Sequence, residues 1–198
     1  MRVPPLHAAI RVIHDEHDHL AAVIHGMLYF ARTVAKGGTP PDFKVFRAML
    51  LYISDYPEQV HHPKEDDFLF AHLRARTGRL DEVLATLEAQ HATGDAMVCG
   101  LERALARFEL QGGAAGARFA ELVEQYASFY FAHMRLEEEQ VMPAAQELLT
   151  MDDWQEINTA FAANNDPLQS GEYKQGLDKL FSLIVKIAPP PIGVGPAA

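Results

Sequence analysis

Cysteine is nearly absent from this chain: Cys99 is the only one in 198 residues. A lone thiol excludes an internal disulfide framework and fits a reducing cytoplasm, the expected location. Cys99 falls in an apolar helical stretch, so an inert buried thiol is expected. Long hydrophobic runs are missing too. The opening MRVPPLHAAI lacks the apolar core of a secretion signal, and no run nears a membrane span, so no membrane association is expected. Positive charge is in deficit, with 17 Lys and Arg against 27 Asp and Glu, a formal net charge of -10. That balance argues against nucleic-acid phosphates or an anionic membrane as partner. Sustained strand-like alternation is also absent, which leaves helix as the only regular structure the pattern supports.

What is present is enough apolar residue, 48% of the chain, to build one sizeable core. Apolar residues recur at helical spacing. A first helix is expected from Leu6 to Lys36, ending at Gly37-Gly38-Thr39-Pro40-Pro41, and a second from an Asp42 cap to Arg76. A third should run from Leu80 to Leu110 and, past the glycine-rich Gln111–Gly116, a fourth from Ala117 to Leu149. Four long helices with short connections make an all-α, up-down-up-down four-helix bundle the expected fold. The division is therefore a bundle over residues 1–150 and a short helical extension with a tail over 151–198. In the extension, a helix opens at Asp152-Asp153-Trp154 and breaks at Asn164-Asn165-Asp166-Pro167. A second spans Glu172 to Ile187, and the tail from Pro189 is expected to be unstructured. The extension suits either a cap on the bundle or a homodimer contact, and both stay open.

Histidine is the informative residue type: there are ten, nine of them at or before His91. His17 interrupts the stripe Leu6, Ile10, Ile13, Leu20, Ile24, Met27. His91 interrupts Leu84, Leu87, Val98, Leu101. His133 and Glu137 continue Phe119, Leu122, Tyr126, Phe129, and His61 and Glu65 share a side with Leu50 and Phe68. A single histidine on an apolar face is usually a satisfied core residue. Four with two buried carboxylates are another matter, because an unpaired buried charge costs several kcal/mol in a domain stable by about 5–15. A pair of cations would compensate.

Loop counting tests this grouping. In an antiparallel bundle, residues equally far from a connecting loop lie at one height. His17 and His61 each lie about 22 residues from the first turn, and Glu65 and His91 about 13 from the second. His91 lies about 23 from the third, with His133 and Glu137 at about 19 and 23. His17, His61, Glu65, His91, His133 and Glu137 thus fall within about a turn of one level. In both His-x-x-x-Glu segments an imidazole and a carboxylate share one face on neighbouring turns, and a carboxylate can bridge two cations about 3.5–4 Å apart. Imidazole and carboxylate donors suit iron, manganese or zinc. Two bridging glutamates against two divalent ions leave a positive centre ready for an anionic bridge such as oxo or hydroxo. Six donors do not saturate two ions, so a small ligand is expected: oxygen, nitric oxide or peroxide.

Other polar residues fail the same test. His72 lies about 10 Å past Glu65 and reads as surface or cap. His14 could orient a ligand, His19 and His25 read as partly exposed, and Asp95 is a candidate seventh ligand left out of the set. His62-x-x-x-Asp66 is a rival register to His61-x-x-x-Glu65, and the acids beyond each bridging glutamate read as solvated. Pro57 and Pro63 should kink or break the second helix around His61.

The segments His14-Asp15-Glu16-His17, His61-His62-Pro63-Lys64-Glu65, Glu88-Ala89-Gln90-His91 and His133-Met134-Arg135-Leu136-Glu137 resemble, in this order and spacing, the hemerythrin-like, or HHE cation-binding, family. The resemblance covers roughly residues 6–149. It implies a non-haem di-iron centre bridged by the carboxylates of Glu65 and Glu137. Oxygen-carrying hemerythrins have a second histidine where this chain has Asp95, and a wider His–Asp pair in the fourth helix. With those departures the chain looks more like the bacterial branch linked to oxygen or nitric oxide sensing and to iron or oxidative-stress responses. Four readings follow as expectations: a di-iron binding and sensing protein, a redox enzyme for peroxide or nitric oxide with Tyr126, Tyr130 and His14 as the nearby delivery candidates (the two tyrosines reading rather as core aromatics), a metal-free structural bundle, or a ferritin-like oxidase built on Glu58-x-x-His61 and Glu88-x-x-His91. For the last, the two glutamates are offset by about 15 Å, and His17 and His133 are left without roles.

Overall fold

The first rod is one uninterrupted helix, α1 (Ala8–Ala35). The computed structural model describes residues 7–162 and 171–196, without the side chains of 58, 59 and 171–175, so Leu6 and the break at Asn164–Pro167 lie outside the described residues. Asp42 caps α2 (Phe43–Tyr56), its side chain accepting the Lys44 N–H at 2.9 Å. The second rod continues through a π-helical segment (Pro57–His61), α3 (His62–Lys64), a second π segment (Glu65–Phe70) and α4 (Ala71–Arg76). The disruption expected at Pro57 and Pro63 is therefore a change of winding. Pro63 has no N–H to close an α-turn, and the His62 N–H bonds instead to the Pro57 carbonyl, five residues back.

The third rod, α5 (Asp81–Gln111), passes to α6 (Gly113–Leu136) through Gly112 alone. Gly112 and Gly113 hold φ of +60° and +44°, a region that glycine enters without a Cβ clash. Two such residues reverse the chain so sharply that Ala114 and Ala115 are already helical, and α6 starts before the expected Ala117. The fourth rod ends in a third π segment (Glu137–Val141) and α7 (Met142–Leu148). Among the described residues there is no strand, and α1 packs on α2 and α6 while α5 packs on α6 and α2, the closed square of an up-down-up-down bundle.

The apolar interior is divided in two. One cluster runs through Leu20, Ile24, Phe46, Val98 and Phe119, and the other through Ile13, Leu69, Phe70, Leu87 and Val141. Between them each rod contributes buried polar side chains, so the bundle has a polar layer inside an apolar sheath. Two expected faces are corrected. Cys99 is exposed, because Val98 and Leu101 take the inner face of α5 and the next residue turns away. Phe68 is exposed as well, since the π winding hands the core positions to Leu69 and Phe70. No helix among the described residues is long and apolar enough to cross a membrane.

The extension packs onto the bundle at two places. α8 (Met151–Ala162) buries Trp154, Ile157 and Phe161 in the second cluster, and its Asn158 Oδ1 accepts the Ala9 N–H at 2.8 Å. A capping box starts it: Asp153 accepts the Thr150 N–H at 2.8 Å while Thr150 Oγ1 accepts the Asp153 N–H at 3.3 Å. α9 (Gly171–Ile187) lies on α2, and the tail folds back rather than trailing free. Val194 and Gly195 donate to the carbonyls of Val185 and Ala188 at 2.9 and 2.8 Å. Ile192 seats on Gly26, where a Cβ would come within 2.8 Å of its Cγ2.

Asp153 also takes two hydrogen bonds from the Arg76 guanidinium, at 2.8 and 2.9 Å, and its carboxyl is held well below the usual carboxylate range by Arg76 first and by Thr150. A depressed carboxyl pKa contributes stability above its unfolded value, near 3.8, and loses it as pH falls below that. Arg76 is 41% exposed, so solvent screening trims the pair. Asp153→Asn is expected to cost about 1–2 kcal/mol at neutral pH. In urea titrations the deficit should shrink between about pH 5 and pH 2; a deficit that does not change with pH would remove Asp153 as the anchor.

Candidate metal centre

Five histidines and two glutamates meet in the polar layer: His17 from α1; His61, His62 and Glu65 from the second rod; His91 from α5; His133 and Glu137 from the fourth. All are at most 7% exposed. The six residues expected from the sequence are thus brought together, and His62 joins them. The rival registers coexist.

The two carboxylates divide their oxygens. Glu137 Oε2 lies 3.2 Å from His17 Nε2, and its Oε1 lies 3.3 Å from His133 Nε2 and 3.9 Å from His91 Nε2. Glu65 Oε1 lies 3.4 Å from His61 Nε2 and its Oε2 3.8 Å from His91 Nε2. Each glutamate therefore faces the His17–His61 side with one oxygen and the His91–His133 side with the other. Potential donor atoms gather within 4.8 Å of one another in two groups, His17, His61, Glu65 and Glu137 in one and His62, His91 and His133 in the other.

A second layer fixes the rings. Nδ1 of His17 meets Glu138 at 2.8 Å, that of His61 meets Glu16 at 2.8 Å, that of His91 meets Asp66 at 3.2 Å, and that of His133 meets Gln90 at 2.9 Å. An acceptor at Nδ1 selects the tautomer with a bare Nε2 and aims it inward, as metal-binding histidines require. Glu16 and Gln90 directly precede His17 and His91, and Asp66 and Glu138 directly follow Glu65 and Glu137. The pattern is a pseudo-twofold repeat of Glu16-His17 with His61…Glu65-Asp66 against Gln90-His91 with His133…Glu137-Glu138.

These supporting residues were not expected from the sequence. Asp66 and Glu138 read as solvated acids, yet each turns one oxygen to a buried ring. Glu16, 3% exposed, was overlooked, although its place beside His17 matches that of Gln90 beside His91. Lys64, with Nζ 3.6 Å from Glu16 Oε1 and above the Phe161 ring, supplies a cation beside that carboxylate.

The charges inside the layer are in conflict. Burial, and then the neighbouring charges of Glu137 and Glu16, push the Glu65 carboxyl well above its usual range. Glu137 is held well below it, against the upward push of burial, by His133, His17 and His91. Burial would lower His17 and His91, but Glu137 with Glu138, and Asp66 with Glu137, raise each to about 9. Burial lowers His61 and takes His133 down to about 4. Both oxygens of Glu65 and of Glu137, with Nε2 of His91 and His133, are buried without a well-formed hydrogen bond. Buried polar atoms in that condition call for a partner, and carboxylate oxygens with imidazole nitrogens that can shed a proton are the donors iron, manganese and zinc take.

The remaining polar candidates lie elsewhere. His14 is 47% exposed and reaches only Glu138, at 3.6 Å. His72 pairs with Asp153 and Glu156 at 3.1 and 3.2 Å and fastens α8, while His19 and His25 pack on Phe181 and Phe131. Asp95 is exposed on α5. Glu88, half of one ferritin-like motif, is tied to Arg74 at 2.8 Å, and the Glu58 side chain is outside those described.

The family model described as the Hemerythrin HHE cation binding domain matches residues 8–145. No curated protein and no solved structure matches the chain. The match spans all four rods and every residue of the polar layer, and the chain belongs to the hemerythrin HHE cation-binding family.

Proposed function

We propose that His17, His61, Glu65, His91, His133 and Glu137 hold a pair of metal ions, iron in the cell, and that the centre binds or senses a small molecule such as oxygen, nitric oxide or peroxide. One observation carries this reading: each buried glutamate splits its two oxygens between the two imidazole pairs. A carboxylate that served one ion, or none, would have no reason to straddle the layer. Bound iron would supply redox-active coordination positions that the protein donors leave open.

The chain's own part is to hold donors in place. The acceptors at Nδ1 fix four rings, and the two apolar clusters keep bulk water from the layer. Glu65 and the raised His17 and His91 hold protons in the metal-free chain, so loading releases protons and strengthens as pH rises toward about 9.

Anaerobic iron loading followed by metal analysis is expected to find about two ions per chain, and His133→Ala should weaken binding by about 100-fold or more. No iron retained by the wild-type chain would overturn the reading. The enzyme alternative has one favouring observation: Tyr130 lies 5.6 Å from His133 by ring centroids and Tyr126 a further 5.6 Å away, a buried aromatic path from the centre. Steady consumption of peroxide or nitric oxide by iron-loaded protein, abolished in His133→Ala, would favour the enzyme; binding without turnover favours the sensor.

A further inference from the structure

His62 lies flat on His91, with ring centroids 3.8 Å apart and planes 10° apart, and meets His133 edge-on at 5.8 Å; an ion lies in the plane of each imidazole that binds it, so His62 has to turn out of this stack to share one with His91. One of its ring nitrogens lies within 4.8 Å of donor nitrogens on both. We propose that His62 is a metal ligand, the seventh protein donor of the centre, completing a three-imidazole group with His91 and His133. The proposal rests on the reading of the layer as a metal-ion pair.

The backbone makes it possible. Consecutive side chains on an α-helix point about 100° apart, so a regular helix sends two neighbours to either side of its inner face, as with His133 and Met134. The π segment Pro57–His61 closes over five residues instead of four and admits an extra residue to the turn. As a result His61 and His62 are 0% and 6% exposed and diverge inside the layer. His61 Nε2 goes to His17 Nε2 at 3.2 Å, on one side, and His62 goes to His91 and His133 on the other.

The internal repeat argues that packing alone does not require an imidazole there. Met134 follows His133 as His62 follows His61, and it is also 6% exposed. An apolar side chain fills the equivalent place. α5 contributes a single imidazole, Asp95 being exposed, and His62 supplies from the second rod what α5 does not.

Cobalt(II) titration of the metal-free full chain, followed by visible absorption and metal analysis, tests this. The wild type should take two ions. His62→Leu, which fills the volume without a donor, should keep one and bind the other about tenfold or more weakly, with an altered cobalt spectrum. Circular dichroism reports whether that variant folds. His62→Ala with free imidazole is the companion test: imidazole entering the vacated space should restore the second ion and the wild-type spectrum. Wild-type affinity and spectrum in folded His62→Leu, or no recovery of His62→Ala with imidazole, would overturn the proposal and leave the six-donor reading standing. No cobalt bound by the wild type would overturn both.

Discussion

Stripping the metal from loaded protein is expected to lower its melting temperature by about 10–20 °C. An ion present at about 100 times its dissociation constant contributes about 2.7 kcal/mol to the folded state, and two contribute about twice that. For a domain of this size each kcal/mol moves the melting temperature by about 2–4 °C. The structural basis is the layer between the two apolar clusters. Without ions it buries two carboxylates among imidazoles, and both oxygens of Glu65 and of Glu137 lack a well-formed hydrogen bond. Calorimetry of iron-loaded protein before and after anaerobic chelation measures the shift. A change under about 3 °C would mean that the layer is satisfied without metal.

Glu65→Gln is expected to act in opposite directions in the two states. In the metal-free chain the Glu65 carboxyl is raised by burial and by Glu137 and Glu16. A raised carboxyl pKa means that folding takes up a proton. As pH climbs above the unfolded value, near 4.5, the metal-free fold loses stability, and the loss continues until the folded value is passed. The neutral amide escapes that penalty, so the metal-free variant should be more stable than wild type by about 1–3 kcal/mol at neutral pH, and no more stable at about pH 4. With iron bound as proposed the order should reverse, because a neutral amide is a weaker donor to a cation than a carboxylate. Parallel urea titrations with and without iron give the comparison. A variant less stable than wild type in both states would show Glu65 to be a structural residue.

The fold was legible because its signals are local. Helical periodicity, the Asp42 cap and the glycine turn after α5 each act within a few residues. The site was legible for a different reason: His17, His91, His133 and Glu137 interrupt apolar stripes on α-helical stretches, where spacing along the chain translates directly into height and facing. That translation fails in the second rod. Pro57 and Pro63 announce a disruption, but not that it takes the form of π winding, so His61 and His62 read as alternatives when the fold buries both. Glu16, Asp66 and Glu138 were hidden by a general fact. A charged residue next to an inward one points sideways on a helix, and only the packing of another rod decides whether water or a ring nitrogen meets it. Cys99 failed in the reverse sense, an apolar neighbourhood along the chain being no guarantee of an inward face.

The uneven winding of the bundle also decides where the molecule can breathe. α1 and α5 carry unbroken ladders of backbone hydrogen bonds along their whole length, whereas the second rod changes winding at Tyr56, His61, Lys64 and Phe70 and carries two prolines with no N–H to give. Backbone bonding is least regular along that wall, and His61, His62 and Glu65 all sit on it. Local opening of this stretch would move these three side chains together while α1 and α5 keep theirs in place.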